Sequence, residues 1–246
     1  MIRRNILFSH ENSAHIRPAS RSNDKLCHSW DYACGGEGTI GHTKVSFSGK
    51  IIPVKTFDDV LTFHGHSCPG LAFGYRVSLL ALRELGERAA DEELVAIVEN
   101  NSCAVDAIQV LTGCTFGKGN LFFRDYGKQV YTFLKRPSGE GIRISVVWTF
   151  PEETEEERLI WGRYIKGERF DEVLKAVHSQ KSRKIDLILG AGDDELFRIS
   201  RGSMTLPDEA KIYASLRCAV CGEKMMEPKA RVRNGEIVCI PCFEKP

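Results

Sequence analysis

Two pairs of cysteines in the sequence have the spacing of a zinc site. Cys218 and Cys221 form one CxxC pair, and Cys239 and Cys242 form the other. Cysteines three residues apart can direct both thiolates to one ion, and four thiolates complete tetrahedral Zn²⁺ coordination at about 2.3 Å. Four unrelated buried thiols would not explain this spacing, nor the strand-like segment 231–238, which alternates around an Asn-Gly pair typical of a tight hairpin. The sequence therefore predicts a structural zinc finger of the treble-clef or ribbon type.

A second group of metal-binding side chains lies within five residues. His64, His66 and Cys68 alternate with other residues immediately before a predicted helix, so an extended loop would place all three on one side. The alternative is that they only cap or pack against that helix. Burying two imidazoles and a thiol without partners would be costly, which favours a metal site.

The next predicted helix offers a matching pair of side chains. Cys103 and Asp106 are three residues apart near its amino end, hence on one face, where the helix dipole would favour a thiolate. A loop that supplies His and Cys against a helix that supplies Cys and Asp would form an open transition-metal site. If the site is catalytic, we expect Asp106 to move a proton and Cys103 to act as ligand or nucleophile.

The glycine-rich segment 113–120 carries three more candidates. It is not a phosphate-binding P-loop, because its glycines are one residue too close and Gly119 replaces the Ser or Thr that would hold magnesium. Cys114 and Thr115 are candidate cofactor-binding residues at a cavity, and Lys118 is a candidate catalytic residue that faces an anionic group. A plain glycine-rich turn at a sheet edge stays an open alternative.

Length, net charge and apolar content limit the classes of function that this chain can have. A chain of 246 residues suffices for one main domain and a small one, and a net charge of +1 creates no field that would recruit nucleic acid or anionic membranes. The sequence has no run of 18 apolar residues, and its first residues lack the apolar stretch of a signal peptide. We therefore expect a cytoplasmic protein without a membrane partner, whose nine cysteines indicate metals or chemistry instead of disulfides.

The periodicity of apolar residues indicates the elements that must position these side chains. Helical periodicity or capping occurs at 57–63, 71–85, 103–111, 152–166 and 170–178. Strand patterns occur at 94–98, 121–123, 129–134 and 142–148, and short elements of uncertain type at 185–189 and 196–199. Helices grouped before a meander of strands indicate an α+β fold with a mainly antiparallel sheet.

These patterns divide the chain into three parts. Residues 1–50 lack a sustained period and are expected to be a disordered or extraneous extension. The α+β core domain is predicted over 51–212, and the zinc-finger domain over 213–246.

Three blocks of the core together resemble the FmdE family of formylmethanofuran dehydrogenase subunits. They are HGHSCPGLAFGYR at 64–76, CAVDAIQ at 103–109 and LTGCTFGKGNL at 111–121. The resemblance covers residues 52–200, and the finger completes a longer form of the family with an auxiliary treble clef. It implies an α+β core, a homodimer and a site built from the matched residues: His66 and Cys68 facing Cys103 and Asp106, with His64, Cys114 and Lys118 of second rank.

The resemblance also implies a role. The expected protein is a metal-binding accessory subunit or relative of formylmethanofuran dehydrogenase, an archaeal oxidoreductase of methanogenesis, with zinc in the finger and a second transition metal, zinc, in the core. Its partners would be a second copy, other subunits of a redox complex and a small molecule of unknown identity.

A function of another class stays open. The protein would then be a non-catalytic adaptor that binds a protein or nucleic acid through the finger. A basic flank on the finger supports this alternative, and it consists of Lys224, Lys229, Arg231 and Arg233. The near-neutral net charge makes nucleic acid the less expected partner.

Overall fold

The computed structural model describes residues 46–47, 50–51, 55–86 and 88–245. The prediction for the first 50 residues therefore lies almost entirely outside the described residues, apart from two-residue strands β1 (Ser46–Phe47) and β2 (Lys50–Ile51), which pair antiparallel. Within the described ranges, no helix has the length and apolarity that a bilayer crossing requires.

A five-stranded sheet forms the centre of the core. Its strands lie in the order β4-β3-β5-β6-β7, and every pair is antiparallel except β3 with β4. Their bounds are β3 (Leu94–Val98), β4 (Leu121–Phe123), β5 (Val130–Lys135), β6 (Glu140–Val146) and β7 (Phe197–Ser203). The mainly antiparallel α+β fold is confirmed, and the one parallel pair arises because a helix connects β3 to β4.

Helices cover one face of this sheet. Residues of α2 (Pro69–Leu85) and α3 (Ala104–Thr112) pack on the strands, and α1 (Phe57–His64) packs against these two helices. Alternate residues of β3, such as Leu94 and Ala96, pack in the same cluster as α2, whereas Val95 and Ile97 pack on the opposite face. Strand β3 is thus buried on both faces, as its apolar run requires, whereas β7 is mostly exposed.

Two further helices differ from their predicted bounds. They are α4 (Glu155–Ile165) and α5 (Asp171–Gly190), followed by the short α6 (Asp193–Leu196). The polar segment 179–184 interrupts the apolar period, so the sequence indicated a helix that ends at His178. The helix continues because α4 satisfies that segment: Gln180 donates to the carbonyl oxygen of Glu157, and Arg183 pairs with the Glu157 carboxylate.

The finger is built from four short strands and a helix. These are β8 (Ser215–Arg217), β9 (Lys224–Met226), β10 (Arg231–Arg233), β11 (Glu236–Val238) and α7 (Ile240–Glu244). The predicted hairpin is confirmed: β10 pairs antiparallel with β11, and the turn between them uses Asn234 and Gly235 with φ of +54° and +82°. The second cysteine pair lies at the start of α7, which favours the treble-clef alternative over the ribbon.

Helices α2 and α3 approach each other closely at Gly74. A Cβ atom built there would overlap the backbone of Ala104, including its carbonyl oxygen, and would lie 2.6 Å from its Cα. Only glycine permits this approach of α2 to α3. Because Gly74 is near the beginning of α2 and Ala104 begins α3, the approach draws the amino ends of the two helices together.

We expect Gly74→Ala to destabilise the core by about 1–3 kcal/mol, because backbone atoms of Ala104 cannot move aside as a side chain could. Gly162→Ala is the matched control, since Gly162 is also helical and has open space around its Cβ position. Urea unfolding followed by circular dichroism should show a lower midpoint for Gly74→Ala and an unchanged or higher midpoint for Gly162→Ala. Equal midpoints would contradict the packing constraint.

Candidate metal centre

The backbone conformation that brings His64 and His66 to the core site differs from the predicted one. The sequence indicated an extended loop over 64–68, but His64 is the last residue of α1, and Gly65 ends the helix in the left-handed region with φ of +89°. This reversal, and not strand-like alternation, brings the imidazole of His66 back to that of His64, with ring centroids 4.4 Å apart.

The two thiols of the site lie at the amino ends of two helices. Cys68 is the N-cap of α2, where its Sγ accepts a hydrogen bond from the Leu71 amide at 3.4 Å, and Cys103 is the N-cap of α3. Burial is the main reason that the pKa of Cys68 rises, to about 11. The partial positive charge of the two helix termini acts in the opposite direction and favours an anion at both thiols.

The four side chains converge on one point. The ligand atoms of His64, His66, Cys68 and Cys103 all lie within 4.8 Å of one another. His66 is exposed and the other three are partly buried. The structure thus brings together all four residues that the sequence assigned to a core metal.

Asp106 lies behind His64 and outside the group of four. Its Oδ2 is 2.7 Å from Nδ1 of His64. A carboxylate can only accept, so Nδ1 carries the hydrogen and Nε2 presents its lone pair. Nε2 is buried and has no hydrogen-bond partner among the described residues. The resemblance placed Asp106 facing the loop and His64 in second rank, whereas the geometry makes Asp106 the residue that orients His64.

The structure does not bring the three candidates of the glycine-rich segment to this site. They follow α3, whose nine residues are about 13 Å long, while Cys103 precedes it. Cys114 is fully buried in the core, where burial raises its pKa to about 11, and its Sγ lies 3.3 Å from the carbonyl oxygen of Leu94. The thiol that was expected to line a cavity is therefore enclosed in the core.

Thr115 and Lys118 hold a turn of the chain. Thr115 Oγ1 accepts from the amide of Lys118, and the Lys118 ammonium donates to three carbonyl oxygens of residues 89–91 at 2.9–3.3 Å. The ammonium that was expected to face an anionic group donates to backbone carbonyl groups instead. This arrangement corresponds to the structural alternative for the glycine-rich segment.

Three residues that the sequence did not single out contact one another on α4 and α5, and one of them, Lys181, is close enough for its charge to act on His66. The Nζ of Lys181 is 5.2 Å from the ring centroid of Tyr164 and 5.9 Å from that of Trp161, and the two rings stack on each other. Burial lowers the pKa of His66, and the charges of His64 and Lys181 lower it further. The aromatic pair at i and i+3 of α4 could have been noticed as a surface, but no local signal places Lys181 near His66.

The four finger cysteines form the second cluster. Their sulfur atoms lie within 4.8 Å of one another, and Cys221 Sγ is 3.8 Å from Cys239 Sγ. A tetrahedron of thiolates about 2.3 Å from zinc has edges of about 3.8 Å. Gly222, with φ of +73°, donates its amide to the Cys218 carbonyl and closes the turn of the first pair. The finger therefore has the geometry of a structural zinc site.

The basic flank of the finger is smaller than the sequence indicated. Arg233 donates to the carbonyl oxygens of Cys242 and Lys245, so it braces α7. Lys224, Lys229 and Arg231 stay exposed.

Two family models match two different segments of this chain. The family model described as "FmdE, Molybdenum formylmethanofuran dehydrogenase operon" matches residues 63–198, and the one described as "Prokaryotic dksA/traR C4-type zinc finger" matches residues 211–246. A relative from Archaeoglobus fulgidus, described as "Probable S-adenosyl-L-methionine-binding protein", is 29% identical over 218 residues, which are 83% of this chain and 58% of the relative. The chain thus spans less than two thirds of that relative's length.

A solved structure shares the fold. It is the crystal structure of a tungsten formylmethanofuran dehydrogenase FmdE-like protein from Syntrophus aciditrophicus, with a TM-score of 0.50 and 21% sequence identity. The match covers 77% of this chain and 93% of that chain.

Asp106→Asn tests the orienting role of the carboxylate. An amide can present its NH₂ group to Nδ1 and so favour the wrong tautomer of His64, and we expect metal affinity of the core to fall about 10–100-fold. Competition with a chromophoric chelator measures the affinity, and exposed Asp125, changed to Asn, is the control. An unchanged affinity in Asp106→Asn would contradict this role.

Proposed function

The chain belongs to the FmdE family, and we propose that its core holds a zinc ion through His64, His66, Cys68 and Cys103. One observation carries this proposal, namely that the buried Nε2 of His64 has no hydrogen-bond partner among the described residues while Asp106 fixes the opposite nitrogen. A buried imidazole nitrogen without a partner is costly, and a metal ion would supply one. A carboxylate–histidine pair of this kind is the usual support of a metal ligand.

The donor set favours zinc among the transition metals. Two imidazoles and two thiolates suit a borderline ion in tetrahedral geometry. Because four protein ligands complete the tetrahedral set, the metal, when bound, would supply Lewis acidity to a small ligand only as a fifth neighbour. Asp106 would keep the hydrogen of His64 at Nδ1, the amino ends of α2 and α3 would favour the thiolates, and exposed His66 marks the side from which a ligand could approach.

We further propose that the protein acts as an accessory component, or a relative of one, of a formylmethanofuran dehydrogenase-type oxidoreductase. The description of the matching family supports this role. In this proposal the protein works in the cytoplasm as a homodimer, and the finger provides a second, purely structural zinc.

A second candidate function is the binding of S-adenosyl-L-methionine, which the description of the Archaeoglobus fulgidus relative suggests. The observation that favours it is the stacked pair of Trp161 and Tyr164 beside Lys181, because an adenine ring can stack on such a surface. This candidate requires calorimetric binding of S-adenosyl-L-methionine that Trp161→Ala removes.

The metal content of the anaerobically purified full-length chain tests the first proposal. We expect two zinc ions per chain by mass spectrometry, one in Cys68→Ser/Cys103→Ser and one in Cys218→Ser/Cys221→Ser, because each double variant removes half of one ligand set. Cys114→Ala is the matched control, since it removes a thiol that belongs to neither cluster, and it should keep two. A wild-type chain whose single zinc disappears with the finger cysteines would refute a metal in the core.

A further inference from the structure

Lys181 is a partly buried cation without an acidic partner in the part of the chain that the structure describes. The two basic residues that follow it on α5 are neutralised, since Arg183 pairs with Glu157 and Lys184 pairs with Glu153. No carboxylate of residues 55–86 or 88–245 forms an ion pair with the Lys181 ammonium, which instead lies over the rings of Trp161 and Tyr164. Such a cation–π contact offsets only part of the cost of removing an ammonium from water.

The packing of α5 against α2 places Lys181 towards the end of α2 that carries the metal ligands, and its charge acts on His66. Arg76 of α2 donates to the carbonyl oxygens of Ile188 and Leu189 near the end of α5. Two residues that come earlier on these helices, Phe73 of α2 and Lys184 of α5, share one neighbour, the ring of Phe150. The ring centroids of Phe73 and Phe150 are 6.2 Å apart, and the Lys184 ammonium lies 4.7 Å from the Phe150 centroid. The two helices therefore run parallel. Lys181, one turn before Lys184, lies towards the amino end of α2, where Cys68 begins the helix.

The negative charges around the cluster lie away from Lys181. A Zn²⁺ ion with two neutral imidazoles and two thiolates has a net charge of about zero. The Asp106 carboxylate lies on the His64 side of the cluster, where the imidazole donates to it. The ammonium of Lys181 acts on the other, exposed ligand, His66, and has no carboxylate partner there among the described residues. A negative group of a ligand would supply that partner.

We propose that Lys181 binds the oxyanion of a small ligand, a carboxylate or a phosphate, on the side of the metal cluster where His66 is exposed. This inference rests on the proposed zinc centre and specifies the ligand class of that site. The ammonium fixes the anionic end of the ligand, the rings of Trp161 and Tyr164 form the wall beside it, and the ligand reaches the cluster past His66. A charge-assisted hydrogen bond to a partly buried ammonium is among the stronger polar contacts that a protein offers a ligand.

Anion titration of the full-length, zinc-loaded protein tests this proposal. Acetate and inorganic phosphate are the two probes, used in low-salt buffer and followed by calorimetry and by tryptophan fluorescence. We expect saturable binding of at least one probe, and the probe with the lower Kd identifies the class of oxyanion. Lys181→Met should weaken that binding about tenfold or more. Lys175→Met, which removes the same charge from an exposed position of α5, should leave it within twofold.

The controls separate this proposal from the one on which it rests. Metal content is measured in each variant, so a wild-type chain without core zinc refutes the zinc centre by itself. Binding that depends on Lys181 and is weaker in metal-free protein supports the inference. It is overturned if neither probe binds wild type, if Lys181→Met binds as wild type does, or if Lys175→Met loses binding equally.

Discussion

The close contact between α2 and α3 at Gly74 is the constraint on which the core site depends. A helix pair separated by ordinary side chains would keep its axes and its amino ends further apart. With glycine opposite the backbone of Ala104, the first turns of both helices meet. Cys68 and Cys103 cap these two helices, so the packing of two backbones decides the distance between two thiols.

The same helix, α3, supplies both a ligand and the support of another ligand. Cys103 caps α3, and Asp106, three residues later, fixes the ring of His64 at the end of α1. Any movement of α3 would therefore shift Cys103 and His64 together. The finger is organised differently, because its four cysteines come from two local turns that need no helix packing to bring each pair together.

Local patterns were predictable from the sequence, and long-range contacts were not. The CxxC pairs, the Asn-Gly hairpin and the α+β class depend on neighbouring residues, and they were confirmed. The orientation of His64 by Asp106 joins residues 42 positions apart, and the length of α5 depends on contacts with α4. Lys118 illustrates the same limit, since a lysine in a glycine-rich segment suggests an anion, whereas its partners are carbonyl groups of residues 89–91.

X-ray absorption at the zinc edge of full-length Cys218→Ser/Cys221→Ser protein tests the central claim most directly. With the finger site disabled, the remaining zinc should show two sulfur neighbours at about 2.3 Å and two nitrogen neighbours at about 2.0–2.1 Å. Zinc coordination without sulfur, or no zinc in this protein, would contradict a core metal held by His64, His66, Cys68 and Cys103.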